Sequence, residues 1–185
     1  MVFSSTFFLL FFLPVFFTAY LLVPKKGRNT VLFLFSLAFY AYGAPQFIWV
    51  LLASSLLNFY AVQWMHEARE RPTRRRFWLY FGTVLNVGLL LVFKYANFAV
   101  GIFDQLGALD ASSWTEIALP IGISFFTFQS LSYNLDVYRG NETPLKSPVH
   151  YLIYIFSFPQ MIAGPIVRFG AVRPELVHRK LDRTA

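Results

Sequence analysis

Five long stretches of this chain carry no Asp, Glu, Lys, Arg or His, and they constrain its fold more than any other feature. They cover Met1–Pro24, Asn29–Met65, Phe77–Phe93, Ile117–Leu135 and Tyr151–Val167. A helix needs about 20 mainly apolar residues to cross a bilayer, at about 1.5 Å of rise each. The second run has 37 residues, too many for one helix and enough for two. Its break falls at Gly43-Ala44-Pro45, where Gly permits a turn and Pro cannot continue the preceding helix's hydrogen bonds. The fold class is therefore an all-α polytopic membrane protein. About five transmembrane helices are predicted, over approximately 3–23, 29–43, 45–65, 77–100 and 117–135.

Composition closes off the alternatives. Charged residues make up 14% of the chain, against about 25% in soluble domains, so a soluble enzyme is excluded. The absence of cysteine removes disulfides, thiolate metal sites and Cys nucleophiles. His66, His150 and His178 are too scattered for a metal centre, so no metal is expected. The first run is not read as a secretory signal. It has no basic residue before its apolar stretch, and that stretch exceeds the usual h-region of about 7–15 residues. A retained first helix is the expectation.

Cytoplasmic loops near helix ends are rich in Lys and Arg. Lys25, Lys26 and Arg28 thus place the first loop inside and the N-terminus outside. The stretch His66–Arg76, with five Arg against two Glu, is also placed inside, whereas Asp104–Glu116, with three acids and no base, is placed outside. The span over 117–135 returns to Arg139 and Lys146. Beyond the last apolar run lies a basic tail, 168–185, which also belongs inside. A segment with both ends inside cannot simply cross, and Pro159 and Gly164-Pro165 interrupt any helix there. Residues 149–167 are read as a re-entrant or tilted, broken element, with an ordinary crossing as the alternative. The net charge of +7 follows from topology and from attraction to anionic lipid headgroups. With no nucleic-acid motif present, the lipid bilayer is an expected partner and nucleic acid is not.

The fifth span is the most polar. At about 100° per residue, Ser124, Thr127, Ser130 and Asn134 share one arc, while Gln129, Tyr133 and Asp136 form a second stripe. Polar groups are costly in hydrocarbon, so both stripes should face protein or a cavity. Interhelical hydrogen bonding and the lining of a substrate path both fit. Asp136 and Arg139 are one turn apart and could pair, as an interface clamp or a donor-binding pair. Lys94 is expected to snorkel to the outer interface, and His150 to hydrogen-bond at the membrane edge. No nucleophile elbow, His-Glu-x-x-His or phosphate-binding Gly loop occurs. These residues alone do not name a reaction.

Two long motifs do point to a family. The stretch Leu119–Gln129, continuing to Asp136-Val137-Tyr138-Arg139-Gly140, and the stretch Phe158–Arg168 resemble the membrane-bound O-acyltransferases. The similarity is to the bacterial branch that includes the alginate O-acetyltransferases. Phe3-Ser4-Ser5, Tyr40-Ala41-Tyr42-Gly43 and Phe93-Lys94-Tyr95 fit the same branch, so the resemblance covers essentially the whole chain.

That resemblance implies a helical funnel through which an acyl group passes from a cytoplasmic donor to an outer acceptor. The donor would be acetyl-CoA or another acyl carrier, acting as substrate, with no bound cofactor. Periplasmic acetyltransferase partners and a polysaccharide acceptor are implied too, as is location in the bacterial inner membrane. Candidate funnel-lining residues are Ser124, Thr127, Gln129, Tyr133, Asn134, Asp136, Arg139, Pro159, Gln160, Gly164, Pro165 and Arg168. The family's catalytic His lies in a Trp-His-Gly type stretch of its later half, and no Trp is followed by His here. No catalytic residue is assigned to this chain; the His is expected beyond Ala185. The resemblance thus implies an N-terminal portion, inactive alone and partnered by the missing C-terminal half. The alternatives are a non-catalytic membrane subunit or remnant acting through partner binding, and an unrelated transporter fragment.

Overall fold

The computed structural model describes residues 5–24, 27–107, 114–120, 122–158, 160 and 169–177, and these residues contain helices and no strand. We label the helices α1 (Phe8–Leu22), α2 (Arg28–Gly43), α3 (Ile48–Glu67), α4 (Pro72–Gln105), α5 (Ile123–Arg139), α6 (Pro148–Phe156) and α7 (Phe169–Val177). The first turns of α1, Phe8–Phe12, are wound as a π-helix, and a 3-10 turn, Pro45–Phe47, leads into α3. Two segments are long and apolar enough to cross a membrane, Pro45–Glu67 and Pro72–Gln105. The architecture is that of a helical membrane protein.

Proline and glycine mark the ends. Pro72 and Pro148 sit in the first turns of α4 and α6, where a missing N–H costs no helical hydrogen bond. Gly140, at φ 78°, lets the chain reverse after α5, so that the amides of Asn141 and Glu142 return to the Asp136 carbonyl at 3.0 and 3.3 Å. Helices α3 and α4 form an antiparallel hairpin. Phe47 meets Phe93, Asn58 meets Asn86 and Trp64 meets Trp78, so one residue number rises as the other falls.

Three elements differ from the sequence reading. Helix α4 begins at Pro72 and ends at Gln105, outrunning 77–100 at both ends; its first turn includes the basic residues Arg74 and Arg75. Its 34 residues extend about 51 Å, well past the roughly 30 Å hydrocarbon core. Helix α5 begins only at Ile123, after Gly122 at φ 79°, rather than at 117. Residues 114–120 are irregular and strapped to α4 by Asn97, whose amide donates to the Ile117 carbonyl at 2.8 Å and accepts from the Ile117 N–H at 2.9 Å. Pro120 and Gly122 thus mark the end of the irregular strap, just before α5 begins.

Within 149–167 the described helix is α6, nine residues long, about 14 Å. That is under half the hydrocarbon thickness. Yet Tyr151, Leu152, Ile153, Tyr154, Ile155 and Phe156 are all buried. A helix apolar on every side and buried on every side belongs inside a protein, surrounded by others. Helices α2, α3, α5 and α7 pack around it.

The residue that follows α6 by two positions anchors it to the N-terminus. The Phe158 ring lies 5.0 Å from Phe16 and 5.5 Å from Phe12, both edge-on, and 6.0 Å from Phe39. Edge-to-face contacts suit the positive rim and negative face of aromatic rings. Its N–H donates to Ser36 Oγ at 3.1 Å. On the other side, Phe169 of α7 is buried edge-on against Tyr133 at 4.8 Å.

Candidate functional site

The polar centre is built by four helices converging on Asn58. Asn58 and Asn134 exchange a reciprocal pair of amide hydrogen bonds, 3.0 Å from Asn58 Nδ2 and 2.9 Å from Asn134 Nδ2. Asn58 Nδ2 also donates to the Tyr151 hydroxyl at 2.7 Å, and Asn58 Oδ1 accepts from Asn86 Nδ2 at 2.8 Å. An amide has two donors and two acceptor sites, so all four positions of Asn58 are used. The Tyr151 hydroxyl also shares a hydrogen bond with Ser130 Oγ, 3.2 Å away, in which either oxygen can donate. Asn86 additionally donates to the Gly82 carbonyl one turn earlier at 2.7 Å.

Gly82 makes this approach possible. A Cβ there would stand 2.8 Å from Asn134 Nδ2 and 3.1 Å from Asn58 Oδ1. The cage thus needs an amide on α3, α4 and α5, a phenol on α6 and a bare backbone on α4. It holds no group that could act as a base near neutral pH. Its chemistry is that of a clamp which fixes α6 relative to α3, α4 and α5.

A second polar set lies along the other stripe of α5. Gln129 Nε2 donates to the Tyr154 carbonyl at 3.1 Å and lies 3.4 Å from Gln160 Oε1. The Tyr133 hydroxyl accepts from the Leu145 N–H at 2.9 Å, while Gln63 Nε2 donates to the Leu145 carbonyl at 2.5 Å. The loop before α6 is therefore held through both backbone groups of a single buried residue.

The candidates from the sequence divide clearly. Thr127, Gln129, Tyr133 and Asn134 are buried, and Ser130 with them. Ser124, Asp136 and Gln160 are half-buried, and Arg139 is exposed. Asp136 and Arg139 form no ion pair: among the described residues the ion pair is Arg173 with Glu142, at 2.5 Å. The main-chain carbonyl of Asp136 is what the helix end uses, and Arg139 at the last turn instead faces solvent or headgroups. The expected clamp is supplied from another direction: Arg75 at the start of α4 donates to the Tyr138 carbonyl and lies over the Tyr138 ring at 4.6 Å. Pro159, Gly164, Pro165 and Arg168 lie outside the described residues. Among the described residues no group of three or more His, Cys, Asp or Glu could hold a metal.

Asn58, Asn86, Gly82 and Tyr151 were not singled out from the sequence. The signal in the sequence was Asn86, the lone amide of the run Phe77–Phe93, with Gly82 one turn before it; Asn58 is one of four amides in its own run. Polar side chains in apolar helices are the usual adhesive between membrane helices.

Comparison with known proteins places this geometry. The chain is 38% identical over 193 residues to "Probable alginate O-acetylase AlgI" of Azotobacter vinelandii, all of this chain against 38% of that protein. It is 36% identical to the protein of the same name from Pseudomonas aeruginosa, 97% of this chain against 35% of that one. Over its whole length the chain is similar to the N-terminal part of these O-acetylases, which are membrane-bound O-acyltransferases. It is also 29% identical to the "Peptidoglycan O-acetyltransferase" of Helicobacter pylori, over 95% of its own length. The chain spans little more than a third of the length of the relatives it matches, at their N-terminal part. No family model matches the chain, and no solved structure does.

Proposed function

We propose that this chain forms the N-terminal wall of an O-acyltransferase. That enzyme would pass an acyl group, acetyl in the first instance, from a cytoplasmic donor to an extracytoplasmic polysaccharide such as alginate. The observation that carries the reading is the similarity to alginate O-acetylases along the whole of this chain. The donor is acetyl-CoA or another acyl carrier, and periplasmic acetyltransferase partners complete transfer to the polymer. The catalytic His is supplied by sequence equivalent to the remaining length of the relatives. In this reading the N-terminus is outside and the membrane is the bacterial inner membrane. Helices α1 to α5 are the five spans, and α6 is a re-entrant element held at mid-depth by the Asn58 cage. Ser124, Gln129 and Gln160, with Pro159, Gly164, Pro165 and Arg168 from the adjoining segment, line the funnel. The fully satisfied cage residues hold its wall in place.

The test is acetyl transfer to de-acetylated alginate by membranes from a host lacking its own O-acetylase. Membranes carrying the polypeptide as its native host makes it should restore acetyl esters, and membranes carrying residues 1–185 alone should not. Acetylation by the 185-residue chain would overturn the division of labour. Failure of the native polypeptide on alginate, with success on peptidoglycan, would change the acceptor in line with the Helicobacter relative.

A further inference from the structure

The turn between α3 and α4 frames an open cavity of about 450 Å³ lined by Trp64, Glu67, Ala68, Glu70, Arg71, Arg74 and Trp78. This is within the roughly 300–1,000 Å³ range of small-ligand sites. Its depth in the membrane follows from the sequence around it. The apolar run of α3 ends at Met65 and that of α4 begins at Phe77, so the cavity opens where hydrocarbon gives way to water. Trp64 and Trp78 form one wall, with ring centroids 4.6 Å apart, and Trp is the residue that favours this interfacial level.

Its charges are balanced: two carboxylates, Glu67 and Glu70, and two guanidiniums, Arg71 and Arg74. Among the described residues none of these four makes an ion pair or a side-chain hydrogen bond, although opposite charges are sequence neighbours here. Arg75, one position further on, is instead turned inward to Tyr138. The first turn of α4 adds the positive end of a 34-residue helix beside Arg71 and Arg74.

We infer that this cavity binds the zwitterionic headgroup of a membrane phospholipid, its phosphate on Arg71 and Arg74 and its primary ammonium on Glu67 and Glu70, with the tryptophan wall beside the ammonium. Guanidinium matches phosphate oxygens in a two-pronged geometry, and aromatic faces attract cations. An anionic headgroup would leave both carboxylates opposing it. A zwitterion carrying N–H donors, as in phosphatidylethanolamine, satisfies both signs. The assignment requires only that this turn lie at a membrane–water boundary and does not depend on acyl transfer.

The test uses the native polypeptide in mild detergent, exposed to equal amounts of phosphatidylethanolamine, phosphatidylglycerol and phosphatidylcholine, with retained lipid counted by native mass spectrometry. Phosphatidylethanolamine should be retained about tenfold over the other two, the scale of one added polar contact. E67Q/E70Q should reduce that preference to near parity with phosphatidylglycerol, and R71A/R74A should lower retention of all three. All four side chains are exposed, so unchanged helix content by circular dichroism should accompany each variant. Equal retention of the three lipids by the unaltered protein would overturn the inference, as would a preference that survives E67Q/E70Q. Competition by soluble glycerophosphoethanolamine without any preference among the lipids would overturn the lipid assignment.

Discussion

Helices α4 and α6 are opposites. The first has 34 residues and leaves most of its apolar surface uncovered, with Val84 at 69% and Phe98 at 67% exposure. The second has nine residues, six of them consecutive and buried. In water the long helix would be the unstable one. In a bilayer the solvent is itself apolar, so length and hydrophobicity mark where a chain meets lipid. The short helix cannot span and must be enclosed by its own chain. What separates the two is polar bonding. Helix α4 makes its polar bonds at three points spread along 34 residues, Arg75, the Gly82–Asn86 patch and Asn97, whereas the short α6 is gripped through Tyr151, the Tyr154 carbonyl and the residues flanking it.

This contrast can be broken from the α6 side first. Phe158→Ala removes the ring that sits among Phe12, Phe16 and Phe39. It should cost about 3–4 kcal/mol of stability, the usual scale for truncating a buried Phe, read as a fall in thermal midpoint in detergent. Next comes Asn58→Ala, which strands Asn86, Asn134 and Tyr151 together. A loss of about 2–3 kcal/mol is expected, from the desolvation cost of unmade buried bonds. If the variant melts with the unaltered protein, the cage is not what holds α6.

Two glycines of α4 sharpen the comparison within a single helix. A Cβ at Gly82 would enter the amide cage at 2.8 Å, whereas one at Gly88 meets nothing within 4 Å. Gly82→Ala should therefore destabilise by about 1–3 kcal/mol, and Gly88→Ala should be neutral or stabilising by up to about 1 kcal/mol, because Ala favours the helix. Equal effects would mean that the close approach of α4 to α5 is not tight. The smallest effect belongs to Arg173→Ala, which breaks the pair with Glu142. At 34% and 21% side-chain exposure, that pair is partly screened and should contribute under about 1 kcal/mol. Its loss should be measurable at low salt and fade in high salt.

The amide cage shows why some of the site was readable and some was not. The polar stripes of α5 were evident because seven polar residues recur at helical spacing over residues 124–136; Thr127, Gln129, Ser130, Tyr133 and Asn134 are buried, and Ser124 and Asp136 are half-buried. Helical periodicity is a local property. Their partners were not evident because Asn58 and Asn134 are 76 positions apart, and Asn58 and Tyr151 are 93 apart. Nothing in either local window specifies the other. Asp136 and Arg139 failed in the opposite way: correct spacing for a pair is necessary but not sufficient, and with Asp136 half-buried and Arg139 exposed the two side chains form no ion pair. Glycine follows the same division. Gly140 could be read as a helix stop, whereas the role of Gly82 depends on how closely α5 approaches.

By itself the sequence determined that this protein is helical, that its environment is a membrane, and which family it resembles, because charge-free runs and contiguous motifs are written along the chain. Only the tertiary structure decided that α6 is enclosed, that three asparagines and a tyrosine from four helices meet, and that the α3–α4 turn opens into a cavity of balanced charge. The physical reason is range. Transfer to lipid and helix formation sum over neighbouring residues, while a hydrogen bond between side chains requires two groups to arrive within about 3 Å from anywhere in the chain.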